Sequence, residues 1–222
     1  MIEVLNHGHV RLVESMGSDL SIVRNARVSY DAEWRAGEDD GKDAKLINYL
    51  VKNGHTSPLE AVKFTFDIKA PIFVLRQWHR HRTWSYNEVS ARYTELPEEF
   101  YVPEVSQITT QSASNKQMRT DIEHPDATRI QELIAYQCVT AFGMYKMLLA
   151  DGVPRELARG ILPLNTYSHM FATVDLHNLA KFLKLRLHEH AQYEIRVYAQ
   201  AMLDLIEPVA PVAVAALKEH WL

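Results

Sequence analysis

The stretch VKFTFDIKAPIFVLRQWHRH, residues 62–81, contains the change of period on which the architecture turns. In its first half Val62, Phe64, Phe66 and Ile68 alternate with Lys63, Thr65, Asp67 and Lys69. A period of two predicts a strand with one face in a core and the other in water. Pro71 then opens PIFVLRQWHRH, which reads as a helix.

Upstream, HVRLVESMG predicts a strand ending at Gly17, and Ser18 and Asp19 can cap a helix through about Val28. EWRAGEDDGKD is a polar loop, AKLINYLVKNG a helix closed by Gly54, and TSPLE a helix start with Ser57 as cap and Pro58 in the first turn. Downstream, SYNE (Ser85 to Glu88) has the spacing of a capping box and reads as another helix start. Residues 94–117 read as irregular, either mobile or a lid. A long helix after Pro125 carries Ile130, Leu133, Ile134, Cys138, Phe142, Tyr145 and Leu149 at helical spacing and stops at Gly152. VPRELARGI starts a helix at Pro154, LPLNTYSHMFATV reads as extended, and Asp175 caps LHNLAKFLKLRLHEH. AQYEIRVYAQAMLDLIE continues as helix, and no internal repeat is present. The expectation is a helix-rich α+β single domain, residues 1–222.

Composition narrows the function classes. A hydrophobic fraction of 47% and a charged fraction of 23% are those of an ordinary soluble globular chain. A net charge of −4 argues against a protein that coats nucleic acid, though not against one local phosphate site. With Cys138 as the one cysteine, no internal disulfide can form, and a cytoplasmic location is expected. The N-terminus MIEVLNHGHV lacks the apolar run of a signal peptide. The apolar stretch from Met202 to Leu217 is broken by Asp204, Glu207, Pro208 and Pro211, so no membrane span is expected there.

Three common chemistries find little support. GEDDGKD, Gly37 to Asp43, resembles a phosphate loop but is one residue short and has Asp43 where a hydroxyl must reach magnesium. Histidines pair at i, i+2 in His7/His9, His79/His81 and His188/His190, but no HExxH or cysteine cluster accompanies them, and no metal is expected. Cys138 falls on the apolar face of a helix, where a thiol is ordinarily packing, and no GxSxG nucleophile elbow is present.

What remains is the cationic run from Arg76 to Tyr93, RQWHRHRTWSYNEVSARY, with four arginines, two histidines and the single acid Glu88. Arginine forks bind phosphate bidentately. His79, His81, Trp78 and Trp84 offer flat partners for an aromatic ring, and Asn87, Glu88 and the serines can read a heterocycle's edge. The combination suits a nucleotide, a flavin or both. The alternative is a non-catalytic nucleotide- or RNA-binding module using the same Arg76–Arg92 segment, or an exposed basic turn.

RHRTWSYNEVSARY, Arg80 to Tyr93, matches RHRxxSxNExSxRY at every specified position. In this the chain resembles the flavin-dependent thymidylate synthases. The resemblance extends to DLSIVRNARVSYD, NGHTSPLEAVKFTFDIKAPIFVLRQW, GVPRELARGILPLNTYSHMFATV and FLKLRLHEHAQYEIRVYA. It implies a thymidylate synthase-complementing-protein-like fold with a central, mainly antiparallel sheet. The implied reaction is methylation of dUMP to dTMP, with methylenetetrahydrofolate as carbon donor and NADPH as reductant through FAD, and no cysteine nucleophile. A homotetramer with active sites shared between subunits is implied as well.

By the same resemblance Gln77, Trp78, His79 and Arg80, with Glu88, Val89, Ser90, Ala91 and Arg92, would form the dUMP cradle, joined by Arg159. Arg186 would be the catalytic arginine that favours ionisation of uracil N3. FAD would contact His55, Ser57, Arg80, His81, Arg82, Glu88, Asp175, Leu176, His177, Lys181 and His190. The chain departs from the family's frequent residues at Ala61, Ala91, Asp175 and Lys181.

Overall fold

The computed structural model describes residues 1–38 and 41–222; Asp39 and Asp40, within the loop weighed above as a phosphate loop, lie outside the described residues. Five strands, β1 (Ile2–Val4), β2 (Gly8–Met16), β3 (Lys63–Pro71), β7 (Tyr167–Asp175) and β4 (Ser85–Glu88), form one sheet in that order. Every pairing in it is antiparallel. β5 (Thr109–Gln111) and β6 (Arg119–Glu123) form a separate hairpin. The helices are α1 (Asp19–Arg27), α2 (Lys42–Lys52), α3 (Ile72–Trp78), α4 (Ala127–Ala150), α5 (Arg155–Ala158), α6 (Leu176–Arg186), α7 (Tyr193–Ile206) and α8 (Pro211–His220). The fold is α+β, as expected.

The alternation in residues 62–69 sorts the two faces of the sheet. Phe64, Phe66, Ile68 and Ala70 of β3 join Met170, Ala172 and Val174 of β7 and Val10 of β2 in the main core, against α6, α7 and α8. Arg11, Thr65, Asp67, Lys69, His169, Phe171 and Thr173 occupy the other face. One dry face and one polar face is the pattern open to an antiparallel sheet.

Two strand-to-helix junctions position the site. Pro71 ends β3 and begins α3; Asp175 ends β7 and caps α6, its Oδ1 accepting from the Asn178 backbone N–H at 2.9 Å. β3 and β7 pair from Lys63↔Asp175 to Pro71↔Tyr167. Because the strands are antiparallel, α3 and α6 leave from opposite ends of the sheet and run back over its dry face toward each other. Trp78, at the last turn of α3, is fully buried and stacks on Phe182 of α6 with ring centroids 4.9 Å apart. That contact brings the C-terminal ends of α3 and α6 together.

Several expectations are corrected. SYNE forms β4 and pairs with Thr173–Met170 of β7. Tyr86 there stacks on Trp84 (6.0 Å, 12°) and donates its hydroxyl to the carbonyls of Trp78 and His81. This ladder and ring packing overrides the capping-box spacing. The helix expected to run on after α6 is interrupted by residues 187–192 before α7 begins. Within the 94–117 stretch read as irregular, β5 pairs with β6 just beyond it, joined by a Thr110–Thr120 side-chain hydrogen bond of 2.6 Å and by Gln111 Nε2 donating to the Met118 carbonyl at 2.7 Å. Ser57 opens a 3₁₀ turn, Ser57–Ala61, rather than an α-helix.

Of the stripe assigned to α4, Cys138, Phe142 and Tyr145 are buried, but Leu133 is 54% exposed. Tyr136, Val139, Met144 and Met147 are also more than half exposed. By length and composition α4 is apolar enough to cross a membrane, while its inner face packs on Ala158, Phe100 and Leu162 in a satellite core.

Candidate active site

Arg186, the last residue of α6, lies at the α3–α6 meeting point. Its Nη2 donates to the Gln77 carbonyl at 3.0 Å and its Nε to His81 Nε2 at 3.2 Å. Burial, with the positive charge of Arg186 second, lowers the His81 pKa to about 4. The ring is therefore neutral at pH 7, and accepting from Arg186 places its own proton on Nδ1. Burial also lowers the Arg186 pKa, but a guanidinium stays charged. Gln77 reaches the start of α7 by donating to Gln192 Oε1 at 2.6 Å. One catalytic-candidate arginine is thus held between α3, the 79–81 turn and α6.

The neutral state of His81 has a consequence for stability. Between pH 6.5 and about 4 the unfolded chain takes up a proton that the folded chain refuses. The contribution is complete above the unfolded value and is lost as pH falls toward 4. His81→Gln, which keeps an acceptor for Arg186, should flatten that part of the stability–pH curve in urea titrations. Parallel curves for the two proteins would contradict the assignment.

A second cluster lies on β4. Glu88 Oε1 accepts from the Ser168 hydroxyl at 2.6 Å, and Oε2 faces His79 Nε2 at 3.9 Å. Beyond it the chain turns tightly: the amides of Tyr93 and Thr94 both donate to the Ser90 carbonyl, and that of Arg92 to Ser90 Oγ. Arg92 pairs with Glu156 at 3.3 Å and Arg155 with Glu95 at 3.4 Å, so α5 is tied to this turn and Arg159 follows directly from α5. Ser168→Ala should raise the KM for the nucleotide about 5-fold, with a smaller effect on kcat, by freeing Glu88 from a charge-assisted bond. Unchanged steady-state kinetics would show that Glu88 is positioned by other means.

The other three arginines of the segment have no counter-charge among the described residues. Arg76, Arg80 and Arg82 are exposed and form no ion pair there. Like charges in so short a run repel unless an anion joins them.

Of the flavin-site candidates, His55, Ser57, Asp175, Leu176 and His177 gather at the N-terminal end of α6, with Lys181 at its middle. Arg80, His81, Arg82, Glu88 and His190 lie apart from them, in the 80–88 segment and the 187–192 turn. His177 Nε2 lies 3.5 Å from Thr56 Oγ1, between His55 and Ser57, and Lys181 Nζ 3.5 Å from Asn178 Oδ1. His177 Nδ1 is buried with no hydrogen-bond partner. Burial, then the positive charge of Lys181, lowers the His177 pKa. A neutral imidazole with an unused nitrogen, next to an exposed ammonium and with Arg80 and Arg82 unpaired, fits a flavin dinucleotide's polar ring edge and pyrophosphate. Asp175 is committed to capping α6, which explains an acid at this place. His190 lies in the 187–192 turn, its ring 4.8 Å from that of His188.

The stacking faces expected of Trp78 and Trp84 are corrected. Trp78 and Trp84 are core rings rather than free stacking surfaces, and Leu176 is fully buried with its amide donating to the Val62 carbonyl. Ala91 is nearly buried, whereas Val89 is exposed beside it. Sequence reasoning missed Ser168 and Gln192; both lie in stretches read only as strand and helix. Cys138 is buried and accepts from Asn165 Nδ2 at 3.0 Å, and burial pushes its thiol pKa up, the opposite of an activated nucleophile.

Comparison with known proteins gives the family. The sequence profile described as thymidylate synthase complementing protein matches residues 11–212. The chain belongs to that family. A flavin-dependent thymidylate synthase from Ehrlichia ruminantium (strain Gardel) is 46% identical over 99% of this chain and 73% of its own length. One from Thermus thermophilus is 47% identical over 100% of this chain and 79% of its own length. Among solved structures, a UMP/dUMP methylase from Streptomyces cacaoi bound with 5-Br dUMP superposes with a TM-score of 0.89 at 36% identity, covering 99% of this chain and 98% of that one. The expected family and fold are therefore correct.

Proposed function

We propose that residues 1–222 act as one catalytic domain that methylates C5 of dUMP. The overall reaction is dUMP + methylenetetrahydrofolate + NADPH + H⁺ → dTMP + tetrahydrofolate + NADP⁺. The one-carbon unit joins C5, the C5 proton leaves, and NADPH supplies the two electrons that reduce the carbon to a methyl. The observation that carries this reading is the set Arg76, Arg80 and Arg82, which form no ion pair among the described residues, in the same segment as the His81 and Gln77 that hold Arg186.

Arg80, Arg92, Arg159, Ser90 and the amides of the 88–92 turn bind the nucleotide phosphate. Gln77, His79 and Glu88 orient the base and sugar. Arg186 stabilises the N3 anion of uracil and lowers its pKa, which enriches C5 in electron density and makes it a better carbon nucleophile. FAD, when bound, would supply the hydride chemistry that links NADPH to the one-carbon unit. His55, Ser57, His177, Lys181, His190, Arg80, His81, Arg82 and Glu88 hold it. Cys138, buried with its thiol pKa raised, takes no part.

The exposed apolar face of α4 is covered by another copy of the chain in a homotetramer that shares active sites. The lone buried cysteine needs no oxidising compartment, and the enzyme works in the cytoplasm. The test is a visible spectrum of the purified protein, extraction of its chromophore, and turnover of dUMP and UMP in competition. FAD in the extract with preference for dUMP supports the reading. A colourless protein that stays inert with added FAD returns the cationic segment to nucleic-acid binding, and preference for UMP moves the reading to a ribonucleotide methylase.

A further inference from the structure

The polar face of the sheet holds a cluster that the nucleotide and flavin sites do not use. Asp67 of β3 is only 8% exposed in its side chain. His9 of β2 and His169 of β7, its neighbours on either side, aim their Nε2 atoms at the same oxygen, Asp67 Oδ1, at 3.1 and 2.5 Å. The register makes this possible: Lys69 of β3 lies opposite both His9 and His169, so the two rings flank β3 at one level. Their centroids are 6.0 Å apart.

The other carboxylate oxygen, Oδ2, takes both Nε and Nη2 of Arg11, at 3.0 and 2.7 Å. Arg11 alone balances the charge of Asp67. Two further imidazoles on Oδ1 are more donors than a buried carboxylate requires. Buried charges are commonly paired or metal-bound, and metal-ligating carboxylates are commonly held by a second hydrogen-bonding partner.

We propose that His9 Nε2, His169 Nε2 and Asp67 Oδ1 form a site for a divalent metal ion of the zinc class. The three ligand atoms lie within 4.8 Å of one another. A tetrahedral zinc ion with bonds of about 2.0–2.2 Å places its ligand atoms about 3.4 Å apart. His9 Nε2, 3.1 Å from Oδ1, is already near that spacing; His169 Nε2 must draw back from 2.5 Å, and this side chain, 48% exposed, is free to turn. On loading, each imidazole carries its proton on Nδ1 and gives the Nε2 lone pair to the metal, while Asp67 stays ionised.

Arg11 remains on Oδ2 and fixes the plane of the carboxylate. The fourth coordination position is open to an adjoining cavity of about 220 Å³ lined by Lys69, Val89, Glu99 and Ser168. Two nitrogens and one oxygen favour zinc, nickel or copper over magnesium or calcium, which prefer all-oxygen sites. The ion would join β2, β3 and β7. Its three ligands need neither nucleotide nor flavin, although the adjoining cavity borders Val89 and Ser168 of the candidate nucleotide site.

The test is equilibrium dialysis and titration calorimetry of the chelator-treated full chain with Zn²⁺ at pH 7.5, alongside His169→Ala, His9→Ala and His188→Ala. One ion per chain is expected in the wild type, with at least a 10-fold loss of affinity in the first two variants and none in the third. Co²⁺ should give the visible absorption of a four-coordinate ion, lost in His169→Ala. His169 is a surface side chain, so this variant will fold, and unchanged ellipticity confirms it. Absence of saturable binding in the wild type overturns the proposal. So does binding that survives His169→Ala, or that is lost in His188→Ala, which would place the metal on the His188/His190 pair.

Discussion

Arg186→Ala should reduce the rate of dTMP formation by about 100- to 1000-fold, the cost of removing one preorganised donor from developing charge. The folded state and the flavin should both remain. The side chain makes its two contacts to Gln77 and His81 at the C-terminal end of α6; His81 is itself a flavin candidate, but His177, beside Thr56, stands at the N-terminal end of the helix and should keep its hold on the cofactor. The loss should fall on kcat as well as kcat/KM, because N3 ionisation is a property of the reacting ring. Raising the pH should partly restore the variant, since alkali ionises uracil without help. Arg186→Lys should recover little, because a point charge cannot keep the fork between the Gln77 carbonyl and the His81 ring. Single-turnover kinetics with a visible spectrum of each variant separates these outcomes. Loss of flavin together with activity would assign Arg186 to cofactor binding instead.

A charge placed on α4 should have an effect of similar size by a different route. Leu133, Tyr136, Val139, Met144 and Met147 are exposed on one helix, and Leu157, Ile161 and Leu164 are exposed on the adjoining segment. A cleft of about 560 Å³ between α3, α4 and residues 164–165 is lined by Phe73, Ile130, Leu133 and Ile134. Apolar surface on this scale marks a contact with another protein surface or a membrane, and α4 shares its inner face with the satellite core. On the proposed homotetramer, Leu133→Glu combined with Val139→Lys should yield smaller species that are colourless and inactive, with circular dichroism little changed. Sedimentation velocity followed at flavin and protein wavelengths reads both at once. A yellow monomer would contradict shared sites. Recovery of the wild-type chain only with detergent would indicate a membrane contact.

The parts legible in the sequence were those where one residue pattern meets one physical demand. Alternation in residues 62–69 required a half-wet strand, and Pro71 required the turn into α3; both follow from backbone geometry. Asp175 was readable as a cap because a cap is local. The RHRxxSxNExSxRY match pointed to the family, and Arg80 and Arg82 within it form no ion pair among the described residues.

The failures were non-local. SYNE satisfies a helix-start spacing, yet Tyr86 gains more by stacking on Trp84 and bonding two carbonyls of the preceding turn. Trp78 and Trp84 sit among polar residues in sequence, and only the approach of Phe182, about a hundred positions later, makes them core. The β5–β6 hairpin has no apolar alternation to announce it, because polar side chains hold it. The α4 stripe was placed correctly in period, but sequence alone cannot tell a face that packs within the chain from one that packs outside it. His9, Asp67 and His169 come from three strands, so no spacing rule joins them.

The measurement that bears most directly on the account is tritium release from [5-³H]dUMP. The purified protein, methylenetetrahydrofolate, NADPH and FAD would be incubated together, with FAD, folate and NADPH omitted in turn. The account predicts release of tritium to water in step with dTMP formation, dependent on all three, and reduced about 100-fold or more in Arg186→Ala. Release that persists without flavin and folate, or no release from a protein that binds dUMP tightly, would contradict C5 methylation as the function of this site.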